Sequence, residues 1–141
     1  MDQTRQFRLL TAHYGLYQFA VAMAGAFAGP YLLRMGFTLA QTLTAFAGLL
    51  AVRFAFRTLS VPLVRVLGVK GATKMGAAIV ALQFWPLMRA DEPLWLFLWL
   101  CCFALGESLY WPAYHAMAAV TGAKGARGRE LGWRHAVAAF V

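Results

Sequence analysis

Glu107, Tyr110, Trp111, Tyr114 and His115 stand at positions i, i+3, i+4, i+7 and i+8 of one apolar run. On an α-helix that spacing makes a single stripe. The run is hydrophobic enough to lie in lipid, where a carboxylate near mid-span costs roughly 2.5–3.5 kcal/mol on insertion scales. Glu107 must therefore face a cavity or a partner. Two chemistries fit: the aromatic groups and Glu107 line a path for an organic solute, or Glu107 is a polar clamp between helices. The natural counter-charge is Arg53. Counted at about 1.5 Å per residue from the outer ends of their runs, Arg53 lies roughly 24 Å deep and Glu107 roughly 20 Å deep, so an ion pair is expected. Arg57, one turn on, is close enough to the inner rim to snorkel. Gln18 shares a stripe with Tyr14, Val21 and Gly25; its amide serves equally to bind solute or to bond a neighbouring helix.

Other reactive types point away from catalysis. Cys101 and Cys102 are adjacent in an apolar run, without a second cysteine pair or a histidine at ligand spacing. Zinc and a disulfide framework are therefore not expected. No His/Glu or Ser/His/Asp constellation has catalytic spacing, so neither an enzyme nor a cofactor is expected. His13 and His115 lie near span ends, where interfacial placement is a simpler account than proton handling. Gly25 and Gly29 form a Gly-x-x-x-Gly pair suited to close helix packing. Pro86 and Pro112 invite kinks.

The elements that carry these residues follow from composition. Of the 141 residues 62% are hydrophobic and 13% charged, against about 45–50% and about 25% in soluble domains. The expected fold is an all-α integral membrane bundle of four transmembrane helices plus the truncated start of a fifth. Spans are expected at about 9–33, 37–60, 74–88 and 94–120, with the fifth beginning at about 134–141. The third is the shortest apolar stretch. The linker 61–73 reads as a turn because it holds Pro62, Gly68 and Gly71 with Arg65 and Lys70. The first apolar run is too long for a signal-peptide core of about 7–15 residues. The net charge of +8 does not point to nucleic acid, because apolar spans separate the basic residues. The expected partner is the lipid bilayer.

Lys and Arg set the expected orientation. Arg5, Arg8, Arg57, Arg65, Lys70, Lys74, Lys124, Arg127, Arg129 and Arg134 flank one side, and only Arg34 and Arg89 flank the other. The positive-inside rule then puts the amino terminus in the cytoplasm. Tyr31, Trp85, Trp95 and Trp99 fall toward the outer ends, as interfacial aromatics do.

Three local motifs carry a family resemblance. Pro30-Tyr31-Leu32-Leu33-Arg34-Met35-Gly36-Phe37-Thr38 is an outer turn closing the first span. Leu63-Val64-Arg65-Val66-Leu67-Gly68-Val69-Lys70-Gly71 is a basic inner loop, and Arg127-Gly128-Arg129-Glu130-Leu131-Gly132 leads into the fifth span. Together with the fourth span's ending Tyr110-Trp111-Pro112-Ala113-Tyr114-His115, they resemble the amino-terminal half of a major facilitator superfamily transporter. In the inner loop Val64 replaces the family's acidic residue, and the fourth span lacks the arginine of many proton antiporters, so the coupling ion stays open. The resemblance implies a secondary transporter of a small organic solute in a cytoplasmic membrane. Spans one and four would line the path, with Arg65, Gly68 and Lys70 in the inner-loop motif. The missing carboxy-terminal half would then be a partner. The alternative is a self-contained four-span accessory protein that binds partner helices through Gly/Ala-rich faces.

Overall fold

The computed structural model describes residues 3–121 together with Gly132 and is all-α: α1 (Gln3–Arg34), α2 (Leu39–Leu82), α3 (Phe84–Leu87) and α4 (Pro93–Thr121). The fifth-span start at 134–141 lies outside the described residues. Among the described residues three stretches are long and apolar enough to cross a membrane: Arg8–Arg34, Leu39–Leu87 and Pro93–Val120. The expected count of four separate long helices is thereby corrected to three, because the second and third expected spans share α2.

The reason lies in the linker 61–73. Pro62 is accommodated inside α2, and Gly68 alone leaves helical geometry, at φ 70° and ψ 158°. Proline removes one helical hydrogen bond, which apolar helices tolerate. A positive φ is disfavoured for residues with a Cβ, so the chain breaks at the glycine. The expected turn is in fact helix interrupted at one residue, and helix resumes at 69, ahead of the start expected at 74.

The described residues divide into two compact units, 3–28 with 116–121 and 29–115. In the first, α1 buries Leu10, Tyr14, Tyr17 and Ala28, at the spacing of one helix face. In the second, α4 is the core helix. Ala104, residues 106–110, Ala113 and Tyr114 are all buried. The segment 39–67 of α2 turns Thr42, Ala45, Leu49 and Ser60 inward, and the segment 69–82 turns Ala72, Thr73, Gly76 and Val80 inward.

Contacts show that the two segments run in opposite directions along α4. Gly48 approaches Leu100 while Arg53 meets Glu107, so both numbers rise together. Gly76 approaches Tyr110 while Val80 approaches Gly106, so one number rises as the other falls. Gly68 is thus the bend of a helical hairpin. The opposite end gathers the connectors: Tyr31 Oη donates to Met88 O at 3.4 Å, and Met35, Gly36, Phe37, Asp91, Pro93 and Leu96 line one open pocket.

Local sequence explains these ends. At the close of α1, Gly36 takes φ 97° while Gly36 N donates to Leu33 O and Phe37 N to Leu32 O, the Schellman pattern. Thr38 then caps α2. Its hydroxyl accepts from Gln41 N at 3.2 Å and its own N–H donates to Gln41 Oε1 at 2.8 Å, a capping box. Trp99, expected toward the interface, is buried edge-on against Phe46, with ring centroids 6.2 Å apart. Arg89 stacks over Trp95, 5.3 Å from the ring centroid.

Candidate functional site

The site is built on the middle of α4 and the middle of the first α2 segment, within the unit 29–115. Arg53 Nη2 lies 2.9 Å from Glu107 Oε2. Trp111 Nε1, one turn along the same helix, donates to that oxygen at 2.8 Å. Glu107 is buried, at 4% exposure. One carboxylate oxygen thus takes a guanidinium and an indole N–H, charge-assisted bonds of the stronger kind. The burial and the pairing belong together, since a buried charge without a partner would cost several kcal/mol.

Around this point the aromatic stripe closes on itself. Tyr110 and Tyr114 stack with centroids 5.7 Å apart and planes 8° from parallel. Trp111 meets both edge-on and stacks on His115 at 5.4 Å. Both tyrosines are fully buried, whereas Trp111 is half-buried. Of the residues expected to line a path, the structure brings Glu107, Tyr110, Trp111 and Tyr114 together, and the expected ion-pair partner Arg53 meets Glu107. Within this group, exposure rests on Arg53, whose side chain is 32% exposed, and on Trp111. Gln18 sits on α1, half-buried, beside the buried face of Tyr14 and Tyr17 in the other compact unit. Arg65, Gly68 and Lys70 are exposed at the hairpin bend, and Arg57 is exposed one turn beyond Arg53.

Sequence reasoning missed the pair that brings α2 and α4 closest. A Cβ on Gly76 would lie 2.7 Å from Tyr110 N and 2.8 Å from Gly106 O; one on Gly106 would lie 2.6 Å from Val80 Cγ2 and 2.9 Å from Gly76 O. The backbones are in contact. Gly25, by contrast, has nothing within 4 Å among the described residues, and Gly29 meets only Phe46, at 3.7 Å. The signal was Ala72 and Gly76, both buried and four apart on α2, a small-residue pair of the kind that permits close approach. Among the described residues no three His, Cys, Asp or Glu side chains gather as metal ligands would. Comparison of the chain with protein-family models, with curated proteins and with solved structures finds no match.

Proposed function

We propose that this chain supplies the first four membrane crossings of a secondary transporter of the major facilitator type, which moves a small organic solute across a cytoplasmic membrane. The observation that carries the proposal is the buried Glu107, held by Arg53 and Trp111 in the middle of long apolar helices. Intramembrane ionisable groups are costly and mark solute or ion paths. α2 crosses twice, because its two segments pass α4 in opposite senses. Gly68 with Arg65 and Lys70 then lies on the cytoplasmic side, as does the amino terminus, in keeping with the ten-to-two distribution of basic residues. The chain performs no covalent chemistry. The path runs between this bundle and a carboxy-terminal half.

The accessory-protein reading keeps one observation in its favour. Glu107 Oε2 already holds two donors, as a clamp between helices would. The two readings separate in proteoliposomes bearing the protein expressed from the complete reading frame that contains residues 1–141. A panel of labelled organic acids, amines and sugars is offered. Saturable uptake of at least one, lost in Arg53→Gln, is the expected result. Uptake of none, with the protein folded and inserted, favours the accessory protein.

A further inference from the structure

We infer that the solute is an organic anion and that its carboxylate is held by Arg53, with Glu107 acting as the positioning residue for that arginine. The inference rests on the transporter reading and names its solute class. Among the described residues Glu107 is the carboxylate within the long helices; Asp91 and Glu92 lie at the connector. It is buried, and its Oε2 is taken by Arg53 and Trp111, so a cationic solute has no open access to it. The charge that remains reachable is positive.

Three observations converge on Arg53. Its guanidinium carries five N–H donors, of which those on Nη2 meet Glu107 Oε2 at 2.9 Å. Its side chain is nevertheless 32% exposed. Arg53 is also the midpoint of the segment 39–67, about 21 Å from either end at 1.5 Å per residue, one turn deeper than Arg57. An exposed guanidinium at that depth cannot face hydrocarbon cheaply, so its open side faces a water-filled path.

The surroundings set the rest of the solute. Arg57 follows one turn later on the same helix and is exposed, so the approach to Arg53 from that end carries positive charge, which draws anions. A guanidinium fork matches a carboxylate in two parallel bonds. Trp111 Nε1 and Arg53 Nη2 lie 2.8 and 2.9 Å from one oxygen, which puts the half-buried indole beside the guanidinium. An aromatic or apolar body on the anion finds its wall there.

Benzoate and benzylammonium are matched probes of opposite charge. The complete protein in liposomes is treated with phenylglyoxal, which modifies accessible guanidinium groups, and modification is read residue by residue by mass spectrometry. Arg53 should react, saturating benzoate should slow its reaction at least tenfold, and benzylammonium should leave it unchanged. Arg65, exposed at the hairpin bend, should react equally in all three conditions. Glu107→Gln should keep benzoate protection, since the amide still fills the position behind the guanidinium. An unreactive Arg53, protection by benzylammonium, or no protection by benzoate overturns the inference, as does loss of protection in Glu107→Gln. Protection without uptake of any labelled solute would leave the anion site standing and remove the transporter reading. Uptake of labelled amines without benzoate protection would do the reverse.

Discussion

The two segments of α2 hold α4 by opposite means. Along 69–82 the contact is backbone on backbone: Gly76 and Gly106 leave no room for a methyl group, and Val80 and Ala72 close the surrounding space. Along 39–67 the contact is made by side chains. Gly48 has only the Leu100 Cδ1 methyl at 3.7 Å, the Arg53–Glu107 pair spans the gap further along, and an open, mostly apolar groove of about 440 Å³ lined by Phe37, Ala40, Gln41, Thr44, Ala45, Leu96 and Leu100 lies toward the amino-terminal ends of α2 and α4. One side of α4 has a single way to fit. The other has slack, bridged by a charge pair that can lengthen or shorten without unpacking a backbone. A helix pair meant to stay fixed and one meant to adjust would be built in these two ways.

The largest effect is expected on the adjustable side. Arg53→Leu strips a buried carboxylate of its counter-charge, a change that costs about 3–5 kcal/mol in buried pairs. Unfolding titrations in mixed micelles should show that loss, and Arg53→Leu combined with Glu107→Leu should recover more than half of it. Additive losses from the two single changes would mean that the pair does not bridge the segments. On the rigid side, Gly76→Ala forces backbone apart and should destabilise by about 1–3 kcal/mol, the range of overpacked cores. A neutral Gly76→Ala would erase the contrast between the two faces. The smallest effect belongs to Gly48→Ala. Its Cβ meets an ordinary van der Waals neighbour, and alanine is the better helix former by roughly 0.5–1 kcal/mol, so stability should be unchanged or slightly raised. A loss as large as that of Gly76→Ala would show the first segment to be as tightly packed as the second.

The contrast also explains what could be read from the sequence. The long apolar stretches, the turn at Gly36 and the depth match of Arg53 with Glu107 follow from counting residues, because rise per residue and the cost of buried charge are local rules. The linker 61–73 misleads for a local reason too. Pro62, Gly68 and Gly71 look alike as breakers, yet only Gly68 takes a positive φ. Which glycine breaks depends on where the hairpin must turn, and that is settled by packing. The glycine pairs teach the same lesson. Gly25 and Gly29 have the spacing for close approach, but Gly76 and Gly106 have the partner, 30 residues apart in the chain. Spacing along one helix says nothing about what stands opposite. The stripe of Tyr110 and Tyr114 was visible as a stripe, whereas its burial depends on two flanking segments that no periodicity within α4 reveals.

The separation of Arg53 from Glu107 along the chain sets an order of events during synthesis in a bilayer. Arg53 leaves the ribosome 54 residues before its counter-charge, a delay of roughly 3–10 s at about 5–20 residues per second. Throughout that interval the first segment of α2 carries an uncompensated guanidinium at its centre, a burden of roughly 2.5–3.5 kcal/mol against insertion. The arrival of α4 removes it. A later helix is therefore the one that commits an earlier helix to the membrane, and a ribosome stalled before residue 107 leaves that earlier charge without its partner.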